Sequence, residues 1–341
     1  MRRPWLAPLV PLYAAGVAWR EFRREHGGTV RRLQRAVVSI GNLSVGGSGK
    51  TPLAIALAKL LVARGLGVDV LSRGYGRTTR EPARVDPSGT AEQFGDEPLL
   101  IAREAGVPVY VALQRYDAGL LAESDASTAE QHDSLRNSIP RVHILDDGFQ
   151  HRQLHRAVDI LLLNREDWED SLLPAGNLRE TLNAAHRASI LAVPADDTGL
   201  DAELRCWGWT GPIWRLQRVM EVPAVNRPGP VIAFCGIARP GQFFEGLEHK
   251  GLAPAARKVF RDHHRYTRED LEHLIAGART AKAAALITTE KDALRIGPLA
   301  SSCPDGLPLI AAKLQIRIED TDTAIDGLLA HLAAGESSLP L

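Results

Sequence analysis

The sequence Ser39-Ile-Gly-Asn-Leu-Ser-Val-Gly-Gly-Ser-Gly-Lys-Thr-Pro52 decides the fold of this chain of 341 residues. It follows the apolar run 36–40, which predicts a buried strand, and it precedes residues 53–62, which predict a helix. A glycine-rich turn between a strand and a helix that ends in Gly-Lys-Thr is typical of a phosphate cradle. Small residues there let backbone N–H groups close around the phosphate oxygens.

We expect the phosphate to be bound by eight consecutive residues: Ser44, Val45, Gly46, Gly47, Ser48, Gly49, Lys50 and Thr51. In an ATP-type loop the lysine supplies positive charge to the β- and γ-phosphates, and the threonine hydroxyl is a ligand for Mg²⁺. Ser44 stands where the motif has its first glycine. The alternative is a glycine-rich surface turn with a solvated lysine, but it leaves the glycines and the preceding strand unexplained.

The composition is that of a globular protein, with 45% hydrophobic and 24% charged residues. Lysine plus arginine and aspartate plus glutamate both number 41, so the overall charge does not indicate a nucleic-acid partner. The three cysteines lack the spacing of a metal site, and we expect them to be reduced.

Apolar β-branched runs alternate with helical patterns after the loop, which predicts an α/β fold with a mostly parallel sheet. Residues 124–138 are polar and predict a surface insertion. A proline-rich stretch at 223–230 predicts a boundary, and a second strand–helix series follows it. We therefore expect a P-loop NTPase-like core domain at 31–225 and a smaller α/β domain at 226–341.

The first thirty residues predict a separate N-terminal element. Residues 1–35 carry eight arginines against two glutamates, a net charge of +6. Trp5 to Trp19 is uncharged and mostly apolar, but it is shorter than the roughly 20 residues that span a bilayer. Two interpretations remain open: an amphipathic helix on an anionic membrane surface, which the flanking arginines favour, or a helix packed on its own protein.

A second chemical marker is Val142-His-Ile-Leu-Asp-Asp-Gly-Phe-Gln-His151, a predicted strand that ends in two acids. Phosphate-loop enzymes hold the water shell of their metal at such a strand end. Asp146 and Asp147 are therefore candidate metal residues. Turn chemistry alone would explain Asp147-Gly148, but it would not explain Asp146.

Several other polar clusters follow predicted strands. Ser72-Arg-Gly-Tyr-Gly-Arg77 is either a substrate loop or a glycine-rich turn. Asp96 is either functional or a helix cap. His263, beside Asp262 at a strand end, is a candidate base. Lys291 could bind phosphate or pair with a neighbouring acid.

Seven motifs in order resemble the tetraacyldisaccharide 4'-kinase family, the lipid A 4'-kinases of Gram-negative bacteria. They are Gly41 to Pro52, Ser72 to Arg77, Gly95-Asp-Glu-Pro98, Asp146-Asp-Gly-Phe-Gln-His151, Leu173-Pro-Ala-Gly176 with Leu178-Arg-Glu180, Phe260-x-Asp-His263 and Thr289-Glu-Lys-Asp292. The resemblance covers nearly the whole chain. Asn177 departs from it, because the family usually has proline there.

The resemblance implies ATP-dependent phosphorylation of the 4'-hydroxyl of a tetraacylated glucosamine disaccharide 1-phosphate, the lipid A precursor. It places the protein at the cytoplasmic face of the inner membrane, peripheral or monotopic. It implies that Asp96 pairs with His263 to activate the sugar hydroxyl, with Lys50 as a further catalytic residue. It assigns the metal and phosphate site to Thr51, Asp146, Asp147 and Glu180, and the substrate cleft to Tyr75, Arg77 and Arg179.

Three other classes fit the sequence less well. A partition-type ATPase has a lysine directly before its glycine pair, where this chain has Val45. A GTP-binding regulator needs Asn-Lys-x-Asp, which Thr289-Glu-Lys-Asp292 does not supply. A membrane scaffold would bind lipid without turning over ATP. No nucleic-acid or protein partner is expected.

Overall fold

The computed structural model describes residues 3–27, 30–130, 139–225 and 228–336. The strands are β1 (Ala36–Asn42), β2 (Gly67–Ser72), β3 (Ala83–Arg84), β4 (Val109–Val111), β5 (Arg141–Asp146), β6 (Val158–Leu162), β7 (Ile190–Pro194), β8 (Ile213–Glu221), β9 (Val231–Cys235), β10 (Ala256–Val259), β11 (Ala285–Thr289) and β12 (Leu309–Ile318). The helices are α1 (Val10–Gly27), α2 (Lys50–Ala63), α3 (Ala91–Phe94), α4 (Asp96–Ala105), α5 (Arg115–Glu130), α6 (Arg165–Trp168), α7 (Leu200–Cys206), α8 (Pro240–His249), α9 (Arg268–Thr280), α10 (Glu290–Ile296) and α11 (Thr321–Glu336).

The strands form one sheet in the order β10-β9-β11-β12-β8-β7-β6-β1-β5-β2-β4-β3. All neighbours are parallel except the pairs β12–β8 and β3–β4, so the predicted mostly parallel α/β sheet is confirmed. Strand β1 lies between β5 and β6, with Ile40 opposite Asp146 and Ile160. Because these strands are parallel, the loop after β1 and the acids after β5 meet at the same edge.

The predicted division into two domains is wrong for the C-terminal segment. Residues 226–341 were expected to form one smaller domain, and strands β9 to β11 with helices α8 and α9 do form their own apolar cores. Ile318, Ile325 and Leu328, however, pack in the same core as Val38 and Leu57 of the first domain. Helix α11 is therefore part of the first unit, because its apolar stripe completes that core. The boundary at 225 remains a proposal for the segment that precedes β12.

The polar stretch 124–138 was predicted as a surface insertion, and this prediction is wrong for its first part. Helix α5 continues to Glu130, because Ala118, Ala122 and Ala126 recur every four residues and form a buried stripe. The polar residues between them obscured this stripe in the sequence. Residues 131–138 lie outside the described part of the chain.

The N-terminal element consists of a 3₁₀ segment, Pro4–Leu9, followed by α1. It contacts the main body through backbone and side-chain bonds: Arg3 N donates to Ala175 O, and Tyr13 Oη donates to Arg179 O at 3.2 Å. Trp5, Leu12 and Trp19 nevertheless remain 75%, 74% and 64% exposed. Among the helices described, none combines the length and apolar character needed to cross a bilayer.

Substitution of Gly41 in β1 tests how tightly this central strand packs against the segment that follows β5. A Cβ atom at this position would lie 2.8 Å from the backbone nitrogen of Phe149, which cannot swing aside. We expect Gly41→Ala to lower the free energy of unfolding by about 2 kcal/mol or more, measured by urea denaturation. Gly277→Ala in α9 is the control, because its Cβ would lie 3.9 Å from the nearest atom, and it should be neutral or stabilising by up to about 1 kcal/mol. Equal effects of the two substitutions would contradict the packing argument.

Candidate active site

The predicted phosphate loop connects β1 to α2. Gly46 and Gly49 have φ angles of 109° and 95°, in a region that side-chain-bearing residues rarely adopt, so glycine is needed there. The Asn42 side-chain amide donates to the Ser44 carbonyl at 2.9 Å and to its hydroxyl at 3.0 Å, which braces the start of the loop. Helix α2 begins at Lys50, and its first N–H groups lack partners within the helix, as a phosphate site requires.

Lys50 lies at the end of this loop, where α2 begins. Its Nζ donates to Asn42 Oδ1 at 2.9 Å and lies 3.5 Å from Asp147 Oδ1. The next residue, Thr51, is buried and carries the hydroxyl group that is the predicted Mg²⁺ ligand. The predicted cation and the predicted metal ligand are thus both held where the loop joins the helix.

Asp146 and Asp147 follow β5 as expected, but their environments differ. Asp146 is buried, and within the described ranges its Oδ1 has no hydrogen-bond partner. Burial, with the charges of Glu97 and Asp147, raises the pKa of Asp146 to about 7. Burial also opposes ionisation of Asp147, but Lys50 and Arg179 outweigh it and hold the pKa of Asp147 below its usual range.

Arg179 lies beside the phosphate loop. Its Nη2 donates to Asn42 Oδ1 at 2.6 Å and lies 3.3 Å from Asp147 Oδ1. The resemblance assigns it to the substrate cleft with Tyr75 and Arg77, whereas its contacts in the structure are with phosphate-site residues. Asn177, two residues earlier, donates its backbone and side-chain N–H groups to Asp170 Oδ2, and the proline usual in the family would lack that backbone donor.

Asp96 and His263 come from distant segments of the chain and lie side by side. Asp96 begins α4, is 4% exposed, and lies with its Oδ2 atom 3.5 Å from His263 Nδ1, in the loop after β10. The contact with Asp96 outweighs burial and raises the pKa of His263. Burial opposes ionisation of Asp96, but His263 and the cations Arg295 and Lys291 hold the pKa of Asp96 well below its usual range. A carboxylate beside an imidazole is an arrangement suited to general-base catalysis.

Two cations on α10 pair with the acids Asp96 and Glu97 at the start of α4, and the sequence did not identify either cation as a partner of these acids. Arg295 Nε donates to Asp96 Oδ2 at 2.8 Å, and Lys291 Nζ contacts Glu97 Oε1 at 2.5 Å. The two cations are four residues apart on α10, so both face α4. The motif Thr289-Glu-Lys-Asp292 predicted only that Lys291 binds phosphate or pairs with a neighbouring acid, because its pairing with α4 depends on the packing of distant segments.

The loop after β2 borders His263. The Tyr75 ring is 5.0 Å from the His263 ring, and Tyr75 is 62% exposed. Arg77 donates to the carbonyl groups of Arg80 and Glu81 at 2.9 Å, so its guanidinium braces the loop. Tyr75 therefore lies at the candidate base, while Arg77 has a bracing role in this conformation.

Glu180, a predicted metal residue, pairs with Arg187. Across the described ranges, no group of three or more His, Cys, Asp or Glu side chains is arranged as a metal site. The residues that fit Mg²⁺ best are Thr51 and Asp146. The Asp146 Oδ1 atom is buried without a partner in the described part of the chain, and oxygen atoms are the ligands that Mg²⁺ prefers.

The smaller unit also contacts the phosphate loop itself. A Cβ atom at Gly46 would lie 3.1 Å from the Ala238 side chain, so this unit approaches the loop backbone closely. The adjacent Arg239 forms ion pairs with Asp167 at 3.0 Å and Glu166 at 3.3 Å on α6. Both the loop and the Asp96–His263 pair thus lie where the two units meet.

Known proteins resemble this chain over most of its length. The family model described as "Tetraacyldisaccharide-1-P 4'-kinase" matches residues 2–333. A tetraacyldisaccharide 4'-kinase of Koribacter versatilis is 40% identical, with 94% of this chain and 97% of the relative covered. One of Geobacter metallireducens is 37% identical, with 88% and 90% covered. The crystal structure of LpxK from Aquifex aeolicus in complex with ATP is 31% identical, with a TM-score of 0.71 over 96% of this chain and 98% of that chain. The chain therefore belongs to the tetraacyldisaccharide-1-P 4'-kinase family.

Proposed function

We propose that this chain transfers the γ-phosphoryl group of ATP to the 4'-hydroxyl of a tetraacylated glucosamine disaccharide 1-phosphate. The observation that carries the proposal is the approach of His263, in the loop after β10, to Asp96 at the start of α4. A nucleotide switch needs no base for an acceptor hydroxyl, whereas a kinase does. Family membership supplies the substrate.

Each group of residues has a separate role in the proposed reaction. The loop N–H groups and Lys50 bind the phosphates and offset their charge, and Arg179 adds a second cation beside the loop. Mg²⁺, which Thr51 and Asp146 would hold, supplies further charge neutralisation when bound. His263 accepts the proton of the 4'-hydroxyl, and the Asp96 carboxylate stabilises the imidazolium that forms.

The proposal is tested by incubating the purified protein with ATP, magnesium and the disaccharide 1-phosphate lipid in detergent. The expected product is the bis-phosphorylated lipid, identified by mass, with one ADP released for each phosphate transferred. A lipid whose 4'-hydroxyl is methylated is the matched control and should give no product. ADP release at the same rate with either lipid would exclude the kinase assignment.

We further propose that α1 lies on the cytoplasmic surface of the inner membrane. Leu6, Val10, Tyr13, Ala14 and Val17 are half-buried against the protein. A second apolar stripe faces solvent and consists of Trp5, Leu9, Leu12, Trp19 and Phe22. Arg20 and Arg23 are exposed on the same helix and suit anionic head groups. A lipid acceptor gives this stripe a use, because it would bring the cleft to the membrane.

Replacing Trp5, Leu12 and Trp19 together with serine should weaken binding to anionic vesicles and raise KM for vesicle-borne lipid about tenfold or more. The stripe supplies the buried apolar area, so ATP affinity should not change. Vesicle flotation and steady-state kinetics measure the two effects. The control replaces Val62, Leu120 and Val259, which are also exposed but lie on other elements, with serine. Equal flotation of the two triple variants would refute the membrane role of the stripe.

A further inference from the structure

Arg295 contacts both members of the Asp96–His263 pair. Its side chain is 8% exposed, and its Nε and Nη2 atoms both bond Asp96 Oδ2. The same Nη2 lies 3.2 Å from His263 Nδ1, closer than the 3.5 Å that separates this nitrogen from Asp96 Oδ2. Arg295 is anchored on its other side, because Nη1 donates to the Gly236 carbonyl at 2.7 Å and to Asp292 Oδ1 at 3.0 Å.

The chemistry of the two groups restricts where the protons lie. A guanidinium only donates hydrogen bonds, so a neutral His263 that bonds Arg295 must accept at Nδ1. Its single ring proton then lies on Nε2. An imidazole with this proton arrangement cannot take a hydroxyl proton at Nε2. Bonding to Asp96 has the opposite requirement, because a carboxylate accepts and Nδ1 must then carry a proton.

We propose that Arg295 is a positioning residue that competes with Asp96 for His263 Nδ1 and thereby sets the tautomer of the base. In the conformation described, the neutral ring bonds Arg295 and carries its proton on Nε2. The ring becomes a base at Nε2 when Arg295 leaves Nδ1 to Asp96. The inference rests on the proposed role of His263 as the base. It adds that Arg295, which does not touch the acceptor, controls both the pKa and the tautomer of His263.

Among the residues that the structure describes, no other side chain around His263 explains the tautomer. The groups that face it are Asp96 from α4, Arg295 from α10, Tyr75 from the loop after β2 and Asp262 from its own loop. Asp262 Oδ1 accepts the backbone N–H of His263 at 3.0 Å, and the Tyr75 ring lies 5.0 Å from the His263 ring at an interplanar angle of 54°. Among these groups Arg295 has the side chain that donates to Nδ1.

The wild-type protein gives the first test. With histidine labelled by ¹⁵N, nitrogen chemical shifts distinguish the two neutral tautomers, and the His263→Gln spectrum identifies the resonances of His263 among the 11 histidines. At a pH above its pKa, we expect His263 to carry its proton on Nε2. A proton on Nδ1 would overturn the proposal and would leave the proposed kinase activity intact.

Arg295→Met gives the second test. The neutral ring should then carry its proton on Nδ1, bonded to Asp96. The pKa of His263 should rise further, because a nearby positive charge is lost. The acid limb of the kcat/KM profile should move to higher pH, so activity should fall most at low pH. A loss that is the same at every pH, with wild-type tautomer and titration, would show a merely structural role.

Two further variants keep the test decisive. Arg295→Lys is used if the methionine variant does not fold, because it retains a positive charge beside Asp96. The ammonium group lacks the forked guanidinium geometry that reaches Asp96 and His263 Nδ1 together. The tautomer of His263 should therefore change, with a smaller rise in the pKa of His263. Lys313→Met is the matched control. It removes a 2.7 Å ion pair with Glu104 on the same helix α4 without touching His263, so the His263 resonances should be unchanged. A tautomer change in Lys313→Met would mean that any disturbance of α4 produces the effect, and would overturn the specific role of Arg295.

Discussion

Replacing Lys50 with alanine should reduce phosphoryl transfer by a factor of about 10³ or more while leaving the fold intact. The ammonium group lies where the loop meets α2, and we propose that it supplies the loop's charge to the β- and γ-phosphates. Charge stabilisation of this kind is worth most in a preorganised site, because no reorganisation is needed when the phosphoryl group moves. The measurement is kcat/KM with ATP and the lipid acceptor.

The neighbouring contacts explain why Lys50→Ala should still fold. Asn42 Oδ1 loses one donor but keeps the Arg179 guanidinium at 2.6 Å, so this buried acceptor is still paired. Lys59→Ala on the same helix is the matched control, because Lys59 is exposed and remote from the loop, and its activity should match wild type. Thermal unfolding of both variants checks the fold. Near-wild-type turnover of folded Lys50→Ala would refute the assigned role.

The features that sequence predicts well are those set by short segments. The β1–loop–α2 unit follows from one apolar strand, positive-φ glycines and a lysine at the start of a helix. Asp146 lies where a strand-end acid was expected, because parallel pairing with β1 fixes the edge at which β5 ends. Local pattern and sheet geometry together therefore locate the phosphate site without knowledge of the rest of the fold.

The features that sequence misses depend on distant partners. The antiparallel pairing of β8 with β12 joins the two halves of the sheet, and nothing within either segment specifies it. Helix α11 returns to the first core because that core offers an open apolar surface, which the sequence does not display. Arg295 is similar, because its role depends on the packing of α10 beside α4, which the local sequence does not specify. The domain boundary was misplaced at the chain's end for the same reason.

Asp96→Ala and His263→Ala should each lower kcat by about 10²-fold, the usual scale for loss of a general base. ATP affinity should change little, since neither residue contacts the loop described above. If the two residues act as one unit, the double variant should be scarcely slower than the slower single variant. Rapid-quench measurement of a single turnover isolates the chemical step. Fully multiplicative losses would indicate that the residues act independently.

The pH dependence gives this pair a second signature. Asp96 raises the pKa of His263 above its ordinary value, so the imidazolium persists to higher pH than it would alone. The protonated ring cannot accept the hydroxyl proton, and the rate should therefore fall as pH drops through that raised pKa. Asp96→Asn keeps the shape but removes the negative charge, so its acid limb should move to lower pH, toward the unperturbed value of about 6.5. His263→Ala should lose this limb altogether. An acid limb that persists unchanged in His263→Ala would assign the titration, and with it the base, to another group.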